Sequence, residues 1–187
     1  MSWEVSRMPT VSQGKSRAAR VAHDGVLAAL ALLFSYVESL LPLGHVLPLP
    51  GFRVGLANVV VTLVLFELGA GDAVAIALIK TVVSALLFGS PVSFAFSVAG
   101  TALSFGGLAL IRRTVPDRLS YVGICIAGAA LHNSGQICAA MVIFGVGVVA
   151  TYLPVLLAAS VVLGGVCGGV VCLIAPAFRK ILGGRAA

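Results

Sequence analysis

The sequence predicts an all-α integral membrane protein of six transmembrane helices, with both termini cytoplasmic and a Pro/Gly-rich outer loop between the first two helices. Three observations carry this. Of 187 residues, 60% are hydrophobic and 10% are charged, against about 45–50% and about 25% in soluble domains. Mean hydropathy is +1.14. Six apolar stretches punctuate the chain, and the cations cluster between alternate stretches. Such a composition cannot cover a water-facing surface, and it excludes disorder, which needs low hydrophobicity.

A membrane crossing needs about 20 mostly apolar residues. The stretches are 25–41, 54–69, 72–88, 92–111, 120–145 and 152–176. The second and third are short and meet at Gly69-Ala70-Gly71, a turn signal, although one long kinked element would also fit. Charge separates the two readings, because Lys and Arg concentrate on the cytoplasmic side. Arg7, Lys15, Arg17 and Arg20 precede the first stretch; Arg112, Arg113 and Arg118 follow the fourth; Arg179, Lys180 and Arg185 follow the sixth. Six crossings place these ten of the twelve cations on one side, leaving Arg53 outside and Lys80 within a span. Five crossings would split them. The +6 charge is therefore a topology signal, and nucleic acid is not expected as a partner; the lipid bilayer is. The expected organisation is a flexible basic tail over 1–24, a six-helix domain over 25–178 and a basic tail over 179–187. The first apolar run is long for a signal peptide, and Leu41-Pro42-Leu43 is a poor cleavage site.

The first stretch ends with Ser35 and Glu38. Glu38 is either a water-exposed helix end or the counter-charge of Lys80 or Arg53. The segment 42–53 carries Pro42, Pro48 and Pro50 with Gly44 and Gly51 among apolar residues. Proline removes donors and fixes φ, so this segment is no regular helix. Irregular backbone at membrane depth is tolerated only against protein or a cavity. The segment reads as a lid over a pocket or as a static plug. Arg53 and Asn58 then open the second stretch, where Asn58 either meets a ligand or bonds neighbouring backbone.

Glu67 and Asp72 flank the inner turn and are expected to be solvated. Lys80 lies eight residues beyond Asp72, about 12 Å along a helix, near mid-membrane. It either snorkels or pairs with a carboxylate, or it contacts an anionic or carbonyl-bearing ligand; ionisable groups at this depth are expensive and read as functional. The fifth stretch holds His132, Asn133 and Gln136, with His132 and Gln136 one helical turn apart. A single polar residue there would be interhelical glue; three within five residues point to ligand contact. In the sixth stretch Gly164/Gly168 and Gly165/Gly169 give overlapping GxxxG spacings, and Gly25/Ala29 give a weaker small-xxx-small spacing in the first. Such spacing permits close helix contact, within the chain or with a partner. Cys125, Cys138, Cys167 and Cys172 form no CxxC pair and read as packing residues. No GxxxxGK[ST], GxSxG, HExxH or aspartate-rich pattern is present, so no metal or cofactor is expected and an enzyme is not the favoured reading.

Four segments carry a resemblance: YVESLLPL at 36–43, PGFRVGLANVVVTL at 50–63, LIKTVVSALLFGSPVSFAFSVAG at 78–100 and AGAALHNSGQICAA at 127–140. Together they resemble the bacterial Gx transporter family, whose members are often labelled heptaprenyl diphosphate synthase component I. The PGxxxGLAN and AHNxGQ-like patterns are the more specific; Leu131 before His132 departs from the second. The resemblance implies a six-helix bundle of the bacterial inner membrane, similar to substrate-binding S components of energy-coupling-factor transporters. It further implies capture of a small organic solute from outside, such as a vitamin, flavin or quinone/isoprenoid precursor. A separate energy-coupling membrane subunit with ATPases would supply the power. The alternative is a membrane subunit associated with polyprenyl diphosphate synthesis or quinone-linked redox assembly, without transport. Site residues on the first reading are Glu38, Arg53, Asn58, Lys80, His132, Asn133 and Gln136.

Overall fold

A computed structural model describes residues 17–40, 55–115, 120–145 and 152–183. Within them the chain forms six helices: α1 (Arg17–Leu40), α2 (Asn58–Glu67), α3 (Ala70–Phe88), α4 (Pro91–Thr114), α5 (Tyr121–Phe144) and α6 (Leu153–Gly183). Five are long and apolar enough to cross a membrane; α2, at ten residues, is not. At 1.5 Å per residue α2 spans about 15 Å, so the expected crossing over 54–69 is seen as a short helix. The segment 41–54, with Arg53 and the proposed lid, lies outside the described residues, as does Arg118.

The outside of the bundle is greasier than its inside requires. Leu86 is 81% exposed, Val142 87% and Leu173 81%, which in water would be a large unpartnered apolar surface. Lipid accounts for it: the protein is a membrane-embedded helical bundle.

Two boundaries differ from the sequence reading, and a third agrees with it. Helix α1 begins at Arg17, not near residue 25, because Arg20 reaches across to Asp72 at the start of α3; that tie draws the last part of the expected tail into the helix. Helix α6 runs through Pro176 to Gly183, past the expected end. Its Arg179 is held by Glu67, which anchors the turn that follows the proline. The second and third stretches are two helices, not one kinked element. Gly69 stands between them at φ +126°, a conformation that side chains disfavour.

Helix α2 is the hub, touching every other helix. Apart from Asn58, Thr62 and Glu67 its residues are apolar on all sides, as a fully surrounded helix requires, and nine of its ten are buried. Val60, Val61, Val64, Leu65 and Phe66 pack against Leu27, Ala28 and Ala31 of α1, Ala73, Ile76 and Ala77 of α3, Leu108 of α4 and Ile124 of α5. Leu63 packs on the other side with Tyr121, Cys125, Val171 and Ala175. A third cluster joins α4, α5 and α6 through Phe96, Ile137, Ala140 and Leu156.

Two helices are started by their sequences. Ser90 accepts a hydrogen bond from the Ser93 N–H, with Pro91 as the first helical residue, a position where the lost N–H costs nothing. Ser120 accepts likewise from Gly123. Ser90→Ala is expected to lower stability by about 1 kcal/mol, read as a small drop in melting temperature in detergent; an unchanged melt would show that Pro91 alone sets this terminus.

The glycine spacings in α6 divide by face. A Cβ on Gly164 would lie 2.7 Å from the Ile126 Cα, and one on Gly168 2.5 Å from the Val122 Cα. This pair seats α6 on α5 within the chain. A Cβ on Gly165, Gly169 or Gly25 would meet nothing within 4 Å among the described residues, and Ala29 is exposed beside Gly25. Of the four cysteines, all unbridged, Cys125 is buried while Cys138 is exposed, so Cys138 is not a packing residue: it lies on the outer face of α5.

Candidate functional site

The two ends of the bundle differ. At one end lie the start of α1, the α2–α3 turn, the end of α4, the start of α5 and the end of α6, tied by polar contacts. Arg20 Nε donates to Asp72 Oδ1 at 2.9 Å. Arg112 donates to the Leu65 carbonyl. Arg179 Nε lies 3.1 Å from both oxygens of Glu67, the Tyr121 hydroxyl donates to Glu67, and the Arg179 guanidinium sits 5.7 Å above the Tyr121 ring. Glu67 and Asp72 are 7% and 9% exposed, so neither is solvated as expected. An interior carboxylate requires partners, and arginines that the sequence marks only as topology signals supply them.

The second polar layer lies toward the other end, around the first residue of α2. Glu38, two residues before the end of α1, is buried, and its Oε1 accepts from the Gly55 N–H at 2.5 Å. It is therefore not a water-exposed helix end. A carboxylate placed just ahead of a helix suits the positive N-terminal dipole of α2. Gly55 sits at φ +86°, and a Cβ there would lie 2.9 Å from the His132 ring. Its backbone shape and the missing side chain both serve this contact.

Below Gly55, Asn58 bridges two helices. Lys80 Nζ donates to Asn58 Oδ1 at 2.7 Å, and Asn58 Nδ2 lies 2.7 Å from His132 Nδ1. Lys80 and His132 are 3% and 2% exposed. Lys80 thus neither snorkels nor reaches water; it turns inward to an amide. The His132 ring fits because α4 carries Gly100 opposite it, where a Cβ would come within 2.7 Å of the ring. Glu38, Asn58, Lys80 and His132, from four helices, converge here.

Asn133 does not join them. One residue along a helix turns the side chain by about 100°, so Asn133 faces α6, donating to Ser160 Oγ at 2.7 Å and to the Leu156 carbonyl at 3.2 Å. Its Oδ1 is buried without a hydrogen-bond partner among the described residues. Gln136 is buried one turn beyond His132. Arg53 is outside the described residues.

Sequence reasoning missed Gly55, Gly100 and Ser160. The small residues Gly100, Ser104 and Gly107 at helical spacing on α4 were the available signal for the first close contact. Two small spaces flank Asn58 and Thr62. One, about 20 Å³, lies between α2, α5 and α6; the other, about 10 Å³, lies between α2 and α4 beside Thr101 and Ser104. Each is the size of about one water. Thr101 Oγ1, beside the second space, is buried without a hydrogen-bond partner among the described residues.

No curated protein and no solved structure matches this chain. A family model described as heptaprenyl diphosphate synthase component I matches residues 27–174. The match runs from α1 to α6 and takes in the buried layer at Glu38, Asn58, Lys80 and His132. The chain belongs to the heptaprenyl diphosphate synthase component I family.

Proposed function

We propose that the protein is a solute-binding membrane subunit, of the kind in which a separate membrane partner with ATPases powers uptake. In this reading it crosses the bacterial inner membrane six times, with the basic end in the cytoplasm. The observation that carries the reading is the convergence of Glu38, Asn58, Lys80 and His132, buried in lipid-embedded helices directly beneath the start of α2. Lys80 and His132 are costly at that depth, and the bundle already has its electrostatic ties at the opposite end. The spaces beside Asn58 are water-sized, so a solute enters only if the helices around Asn58 move apart. Vitamins, flavins and quinone or isoprenoid precursors are the classes to screen.

Thermal stabilisation of the purified protein by these compounds is the test. For any compound that stabilises it, Lys80→Ala is expected to weaken binding about tenfold to a hundredfold, the worth of a hydrogen bond to a charged group. Asn133→Ala, which faces α6, is expected to leave affinity within about threefold. Binding unaffected by Lys80→Ala would sink the site assignment. The family description favours a second reading, a membrane component that accompanies a polyprenyl diphosphate synthase. Co-purification with a soluble synthase, together with no solute uptake by vesicles, would select it.

A further inference from the structure

The hydrogen-bond roles along Lys80–Asn58–His132 are forced, one from the next. An ammonium only donates, so the Asn58 oxygen must face Lys80, at the observed 2.7 Å. The Asn58 NH2 must then face His132, and it also only donates. His132 Nδ1, 2.7 Å away, is therefore the acceptor: it bears a lone pair, and the ring proton is on Nε2. A second proton on Nδ1 would set N–H against N–H. Turning the amide would relieve that clash and create another, NH2 against the Lys80 ammonium. We infer that Asn58 makes Lys80 and His132 compete for a single positive charge, so that the chain carries a charged Lys80 and a neutral His132, and His132 takes up a proton only when Lys80 gives one away.

The surroundings give this rule a real opponent. From α1 comes Glu38, whose carboxylate lies on the Gly55 N–H beside the ring and favours an imidazolium. From α3 comes Lys80, which disfavours it. From α4 the ring meets Gly100, which carries no titratable group. From α6, Cys167 lines the same small space as Gly55. In water an ammonium holds its proton about four pH units more firmly than an imidazolium, so the single charge belongs to Lys80. Where the solute-binding reading holds, the pair offers a ligand one cationic group, suited to a carboxylate or carbonyl.

The experiment needs no solute, so its result stands apart from the solute screen. The 15N shifts of the imidazoles are recorded in detergent at pH 7 and pH 5.5, with His23 and His45 changed to Asn so that His132 is read alone. The wild-type site is expected to show a neutral ring protonated on Nε2 at both values. Lys80→Met removes the competitor and lets Asn58 turn; His132 is then expected to be largely imidazolium at pH 5.5. In an Asn58→Ala background, Lys80→Met is expected to change the His132 charge much less. Three results would overturn the inference: a proton on Nδ1 at pH 7 in the chain with Lys80 and Asn58 intact, an imidazolium at pH 5.5 in that same chain, or an equal response to Lys80→Met with and without Asn58. The first two are read without altering Lys80 or Asn58, so a variant that fails to fold does not block the decision.

Discussion

Gly135→Ala is expected to lower stability by about 3 kcal/mol, the upper end for overpacking a core, and the melting temperature by about 10 °C. A Cβ at this position would lie 2.5 Å from the Ala99 carbonyl oxygen and 2.8 Å from the Gly100 Cα. Both are backbone atoms of α4, so no side chain can swing aside and the helices must separate. Separation also reaches the buried polar layer: Gly100 makes room for the His132 ring, and His132 lies one turn before Gly135. Loss of any compound bound at Lys80 should accompany the loss of stability. Gly165→Ala and Gly169→Ala supply the controls. Nothing lies within 4 Å of either, so they should be neutral or gain up to about 1 kcal/mol from helix propensity. The idea fails if Gly135→Ala melts with the unaltered protein, or if the controls fall with it.

That contrast marks the limit of sequence reasoning about packing. The spacing in α6 shows two GxxxG pairs of equal quality. Only the rotation of α6 against α5 decides that Gly164 and Gly168 face inward, and rotation depends on all six helices at once. The apolar helices were legible because their signal is local: an apolar run long enough for lipid. Helix α2 was less so. Its sequence is as apolar as a membrane span, but ten residues of helix surrounded by five neighbours bury the same residues that lipid would.

The polar layer was legible as a set of residues and not as a site. Asn58, Lys80 and His132 stand out singly because polar groups in apolar runs need a reason. Their bridging through one amide could not be read, because it joins positions 22 and 74 residues apart. Asn133 shows the opposite error. Adjacent to His132 in sequence, it points to a different helix and bonds Ser160. Gly55 and Gly100 matter through what they lack, and a missing side chain gives no signal until its neighbour is known.

Charge was misread at the end of the bundle where Arg20, Arg112 and Arg179 gather. Sorting the cations to one side leaves Glu67 as a solvated inner residue, yet its side chain is 1% exposed, under Arg179 and Tyr121. Arg179→Ala strands that carboxylate with the tyrosine hydroxyl. Removing one partner of a buried pair costs about 3–5 kcal/mol; with the Arg179 side chain 38% exposed, water reaches it and about 3 kcal/mol is expected. Arg179→Lys keeps a charge and loses the two-pronged geometry, so its cost should fall between. The decisive measurement is a double-mutant cycle. Glu67→Gln removes the need for a counter-charge while retaining an acceptor for Tyr121, and in that background Arg179→Ala should cost under about 1 kcal/mol, within the coupling expected of contacting groups. Amide exchange should report the same event locally, with protection lost first along the last turns of α6 beyond Pro176 and retained around Lys80. An Arg179→Ala cost that is the same with Glu67 intact and in the Glu67→Gln background would mean that the guanidinium acts by packing on the Tyr121 ring, and that the end of α6 is held by shape, not charge.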